Sequence, residues 1–220
     1  MTNIVEDKKE FCREVLARLL AQNPEPKIEL NYENAFQLLV ATILAAQCTD
    51  LRVNMVTKTF FKEYPTPAKI ARESQQVIAE KIKSTGFYRN KANSLIACCQ
   101  RLMVEYQGEV PRTVAELEKL PGVGRKTASV VVSNAYGVPA LSVDTHVKRV
   151  VGRLNLSQAK TPEAVEEELK GLVAEEHWTA FSQLLVLHGR YVCVARNPKC
   201  KTCVLLDLCP SEEKTVSQPE

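Results

Sequence analysis

Four cysteines, Cys193, Cys200, Cys203 and Cys209, stand in the spacing C-x6-C-x2-C-x5-C and constrain this chain more than any other feature. Thiolates that close together in sequence hold an iron–sulfur cluster or a structural zinc, and the spacing alone decides neither. A chain of 220 residues can bury a real core, as one large domain or two small ones. Its 45% hydrophobic content is that of an ordinary globular protein. No apolar run reaches the length of a membrane span, and residues 1–7 are too acidic and polar for a signal peptide. The expected compartment is therefore the cytoplasm, with no membrane partner. Reduced thiols there make eight cysteines an argument for metal ligation over disulfides. Cys12, Cys48, Cys98 and Cys99 lack ligand spacing and read as small buried hydrophobes.

Helical periodicity dominates. Residues 5–21 form an amphipathic pattern with Phe11, Val15, Leu16 and Leu19 on one side, and Asn23-Pro24-Glu25-Pro26 ends it. From Ala35 to Cys48 the chain is apolar nearly all round, which predicts a helix buried at a domain centre. Thr66-Pro67 and Thr161-Pro162 each put a capping residue before a first-turn proline, and Thr113-Val114-Ala115-Glu116 is a capping box. Val130-Val131-Val132 has strand propensity, yet Ala128, Val131, Val132 and Ala135 keep helical spacing ahead of a Gly137/Pro139 stop. The class is all-α.

The net charge of +3 says little about partners, but its distribution says more. Lys81, Lys83, Arg89 and Lys91 form one basic stretch, Lys119, Arg125 and Lys126 a second, Lys148, Arg149 and Arg153 a third. Acid gathers at Glu163, Glu166, Glu167, Glu168, Glu175 and Glu176. Such separation suits one basic face turned toward phosphates, and solvated helix faces are the plainer alternative. Between two predicted helices lies Leu120-Pro121-Gly122-Val123-Gly124-Arg125-Lys126-Thr127-Ala128. Its glycines allow a tight turn and close backbone approach, and the amides opening the second helix point outward as an anion site. A nucleic-acid phosphate fits there, positioned without sequence reading.

With this hairpin, three further blocks carry a resemblance: residues 39–50 (Leu39 to Asp50), Val143-Asp144-Thr145-His146-Val147, and the cysteine spacing itself. In this order, over nearly the whole chain, they resemble the endonuclease III family of the helix-hairpin-helix superfamily, DNA glycosylases that are also abasic-site lyases. The resemblance implies two helical domains with the active site in the cleft between them. One is a six-helix domain with the hairpin, residues 28–138. The other is a discontinuous iron–sulfur domain, residues 1–27 and 139–212, leaving 213–220 as a disordered tail. The partner implied is damaged double-stranded DNA, met by a monomer with no organic cofactor in the bacterial cytoplasm at the nucleoid.

The resemblance also assigns residues. Lys126 is the implied nucleophile, since only an amine can displace a base at C1′ and then form a Schiff base. It stands at a helix start beside Arg125, where positive partial charge gathers. Asp144 is the implied catalytic carboxylate, and because Val147, Val150, Val151 and Leu154 follow at helical spacing it is also an N-cap. Gln47 is implied to enter the space left by the flipped nucleotide, and Phe87 to be an apolar wedge, with a core aromatic as its alternative. Gly122, Val123, Gly124, Arg125 and Thr127 belong to the DNA-gripping hairpin, and His146 either contacts phosphate or satisfies local backbone. The four spaced cysteines are implied to hold a [4Fe–4S] cluster that clasps a basic loop (Arg190, Arg196, Lys199, Lys201) against DNA. Two rival readings remain: a monofunctional adenine or mismatch glycosylase of the same superfamily, and a non-catalytic DNA-binding module with a metal site.

Overall fold

The structure, a computed structural model, describes residues 4–215. All regular elements among them are helical. The first, α1 (Ile4–Gln22), buries Val15, Leu16 and Leu19 and half-buries Phe11, as the spacing predicts. In α2 (Ala35–Leu44) the Asn34 side chain accepts from the Gln37 N–H at 2.9 Å, and every residue from Phe36 to Leu44 is buried. Each fully buried leucine there contributes roughly 1.5–3 kcal/mol. The helix stops at Leu44, short of the apolar run's end at Cys48. Gln47 takes a φ of 53°, which no right-handed helix can contain.

The next helices are α3 (Asp50–Glu63), α4 (Pro67–Ala71), α5 (Gln75–Lys81), α6 (Tyr88–Glu105), α7 (Val114–Leu117) and α8 (Arg125–Tyr136). A 3-10 turn, Lys83–Thr85, precedes α6. Thr113 caps α7 by accepting from the Glu116 N–H, and its hydroxyl donates to the Glu116 carboxylate. Thr66 precedes the first-turn proline of α4 without a side-chain cap bond. The 130–132 stretch is helical, within α8, which ends at Gly137 with φ 67°. Then come α9 (Thr145–Arg153), α10 (Pro162–Lys170), capped by Thr161, and α11 (Trp178–Tyr191).

Ile28–Val138 forms one compact unit, and Met1–Lys27 with Pro139–Glu220 forms the other. In the first, α6 turns Ala92, Leu95, Cys98, Cys99 and Leu102 inward, against α4 and α5 on one side and α2 on another, while α2 also packs on α8. Burial pushes the Cys98 thiol up to about 12. In the second, Val15 and Leu19 of α1 share a core with Val147, Val150 and Val151 of α9, and Phe181, Leu184 and Leu185 of α11. Cys12 is buried there, whereas Cys48 is only half-buried because it follows the end of α2 instead of lying within it.

Two charge expectations need correction. Lys91 belongs to no basic face, being 6% exposed. Glu166 belongs to no solvated acidic face either, since it is 5% exposed and pairs with Lys170 at 2.5 Å. Of the tail from 213 onward, residues 216–220 lie outside the described residues. Glu213 lies within them, and its carboxylate meets the Arg153 guanidinium at 2.7 Å.

Candidate active site and metal centre

The hairpin is anchored by its apolar residues and open at its polar ones. Leu120 and Val123 are buried, and the Val123 N–H donates to the Leu120 carbonyl at 3.1 Å. Gly122 has a φ of 77°, and a Cβ there would lie 2.6 Å from the Ser94 Cβ of α6. Only glycine meets both demands. Gly124 is the N-cap of α8 and offers no side chain to the amides of the first turn. Arg125 and Lys126 are exposed in that turn and Thr127 is half-buried; Arg125 meets Glu118 at 3.4 Å. An exposed primary amine in the first turn of a helix whose N-cap supplies no side chain is an arrangement that can hold a phosphate and present a nucleophile.

The helix α9 begins differently. One Asp144 oxygen, Oδ1, accepts from the N–H groups of His146 at 2.8 Å and Val147 at 3.0 Å, so the expected N-cap is present. A half-buried carboxylate held by two amides keeps a fixed orientation and has its second oxygen left for other work. The His146 side chain turns to Arg149, whose Nη2 lies 3.1 Å from Nδ1. Arg149 also donates to the carbonyls of Gly189 at 2.7 Å and Cys193 at 3.0 Å. A bonded path thus joins the first turn of α9 to the first cysteine of the spaced set.

Gln47 and Phe87 lie in two turns of the Ile28–Val138 unit, and both take left-handed backbone, with φ of 53° and 47°. Both side chains are exposed. Phe87, at 64%, is not a core aromatic. A large apolar side chain displayed on a strained turn is costly unless something outside receives it.

The four spaced cysteines line one pocket with Val150, Leu154, Val192, Leu205 and Leu206 around them. Arg153 reaches the Cys193 sulfur at 3.3 Å and donates to the carbonyls of Val194 at 2.8 Å and Ala195 at 3.2 Å. His188, buried and pushed down to about 4 by that burial, sets Nε2 3.6 Å from the Cys203 sulfur. Among the described residues no group of three or more His, Cys, Asp or Glu side chains is placed to hold a single ion. Four soft donors spread around an apolar, cation-flanked pocket fit a cluster, in which each thiolate takes its own iron, better than one zinc. Arg149, Arg153 and His188 were not singled out as parts of this site by the sequence. The signal was a pair of arginines four residues apart on an amphipathic helix, which reads equally well as a phosphate-facing stripe.

These features define a class, helical DNA-repair proteins with a cysteine-bound cluster, and comparison with known proteins agrees. Residues 40–175 match the HhH-GPD superfamily of base excision DNA repair proteins, and residues 193–209 the iron–sulfur binding domain of endonuclease III. Endonuclease III of Synechocystis sp. is 46% identical, covering 94% of this chain and 94% of that protein. A non-covalent endonuclease III–DNA complex superposes with a TM-score of 0.89 at 44% identity, over 92% of this chain and 95% of the other. A trapped covalent endonuclease III–DNA intermediate gives the same TM-score, identity and coverages, 0.89, 44%, 92% and 95%. The chain belongs to the endonuclease III family. It is a base-excision-repair DNA glycosylase with abasic-site lyase activity, and its cofactor is a [4Fe–4S] cluster. The monofunctional and non-catalytic readings are not favoured.

Proposed function

We propose that the chain removes oxidised or ring-damaged pyrimidines from duplex DNA, with Lys126 as nucleophile and Asp144 as the assisting carboxylate. The observation that carries this reading is the α8 start, where an exposed lysine follows a glycine N-cap and a hairpin anchored through Val123. The neutral Lys126 amine attacks C1′, and the damaged base departs with the glycosidic electron pair. Asp144 stabilises the positive charge that develops on the sugar. Opening of the sugar ring gives a C1′ imine, which acidifies C2′. Loss of that proton expels the 3′ phosphate, and water then releases Lys126. Gln47 and Phe87 fill the space left by the extruded nucleotide, since C1′ is inaccessible in a stacked duplex. Gly122, Val123, Gly124, Arg125 and Thr127 grip the phosphate backbone. For His146 the bond to Arg149 favours local support of α9 over phosphate contact.

Cys193, Cys200, Cys203 and Cys209 are the proposed ligands of the cluster. When bound, it supplies a rigid clasp for the loop bearing Arg196, Lys199 and Lys201. The chain works as a monomer on damaged DNA, without an organic cofactor, in the bacterial cytoplasm at the nucleoid. Among the described residues no helix is long and apolar enough to cross a membrane.

The test is borohydride reduction during reaction with a duplex carrying one thymine glycol. A covalent adduct is expected with the wild type and none with Lys126→Gln. Base loss without any adduct in the wild type would overturn Lys126 as nucleophile.

A further inference from the structure

Lys91, in the first turn of α6, is the basic residue whose environment least resembles a surface lysine's. It is 6% exposed, and burial lowers the pKa of its ammonium from the ordinary lysine value. Nζ donates to the Leu44 carbonyl at 2.8 Å and to the Thr85 carbonyl at 2.7 Å. With two of its N–H groups on backbone carbonyls it cannot grip phosphate. Burying a cation is costly, and a fold retains one where its bonds do something a neutral residue would not.

The two carbonyls are informative. Leu44 is the last residue of α2 and Thr85 the last of the 3-10 turn, so each carbonyl stands where a helix has run out of partners. Each also lies within three residues of a left-handed excursion. After Leu44 the chain turns through Ala45 and Ala46 to Gln47, at φ 53°; after Thr85 it passes Gly86, at φ 69°, to Phe87, at φ 47°. The turns are 40 residues apart in sequence, counting from 47 to 87. One ammonium is bonded to the base of both.

We propose that Lys91 is a positioning residue that locks the Gln47 turn to the Phe87 turn, so that both side chains enter the duplex as one rigid unit. This rests on the reading that Gln47 and Phe87 enter DNA. Extruding a nucleotide costs its stacking and pairing, and side chains already in place to fill the vacated space offset part of that cost. Two turns that fluctuate independently would each pay an ordering cost on binding; two turns tied to a common cation have paid it during folding. Methionine at this position keeps the volume and loses the tie.

The experiment is a mutant cycle read by single-turnover base loss from a thymine glycol duplex with enzyme in excess. Gln47→Ala and Phe87→Ala are measured alone, and again in a Lys91→Met background whose helical content and cooperative melting have been checked. Lys91→Met is expected to slow base loss on the order of 10- to 100-fold, as misplaced contacts remote from the chemistry do. In that background Gln47→Ala and Phe87→Ala are each expected to cost less than about twofold more, because the unit they belong to is already lost. If both cost as much in the Lys91→Met background as in the wild type, or if Lys91→Met is as fast as the wild type, the proposal is wrong. If Gln47→Ala and Phe87→Ala are both neutral in the wild type, the underlying reading of the two turns fails instead, and the proposal with it. Should Lys91→Met not fold, the same cycle on Lys91→Arg, which keeps the charge but not the reach, decides by the same criterion.

Discussion

The helices α8 and α9 each carry, in or just before the first turn, a residue with a proposed chemical role, yet those turns are finished in opposite ways. At α9, Asp144 spends one carboxylate oxygen on two of the helix's own amides. At α8, Gly124 gives the first-turn amides no side-chain cap, and Lys126 stands exposed in that turn. A self-capped helix start orients a group that must be fixed before substrate arrives. On the proposed roles, a glycine-capped start leaves its amides for an incoming anion and leaves the lysine free to follow the atom it would attack. The same local structure thus serves rigidity in one unit and receptivity in the other.

Four substitutions, at three positions, would break or sharpen that contrast. Asp144→Asn keeps an N-cap and loses only charge, so base loss should fall on the order of 10²–10³-fold with the thermal midpoint nearly unmoved. Asp144→Ala should show a comparable kinetic loss together with about 1 kcal/mol of lost stability. Equal melting curves for the two variants would show that the cap bonds contribute nothing. Next in size is Gly122→Ala, where the positive φ and the approach to Ser94 should cost ~1–3 kcal/mol in denaturant unfolding. Duplex affinity should weaken with it, and a variant as stable as the wild type would refute the close-packed hairpin. The smallest effect is expected for Gly124→Ser. A Cβ there meets nothing within 4 Å and φ is −97°, so serine fits. By capping α8 itself it should stabilise the fold by a few tenths of a kcal/mol while loosening DNA, because the hydroxyl competes with phosphate for the amides. Tighter DNA binding by this variant would mean the α8 amides do not face the backbone.

Much of this was legible beforehand because it depends on local rules. Asp144 and Thr161 cap as their sequence contexts predict, and the 130–132 valines stay helical because the spacing of their neighbours outweighs strand propensity. The rest depended on tertiary placement. Lys91 and Glu166 look like surface charges in a string of surface charges, and only packing shows them buried. Arg149 and Arg153 counted as a basic stripe, whereas their donors turn onto carbonyls of the cysteine-bearing loop. Phe87 could be core or display until a left-handed backbone put it outside. In each case the missing information was direction, which side of a helix or turn meets a neighbour distant in sequence.

The division of the chain also sets a schedule. Ile28–Val138 is continuous and can complete its core during synthesis as soon as it clears the ribosome. The other unit begins with α1 but needs Leu205 to finish the same core, and Arg18 of α1 meets Asp207 at 2.5 Å. Its first helix must therefore wait, unpartnered, through the making of an entire intervening unit. Iron delivery is confined to the end of that wait, since Cys209 emerges after the other three ligand candidates. Nascent chains can carry a finished hairpin long before they can carry a cluster, so the repair enzyme becomes whole only after residue 209 has been made.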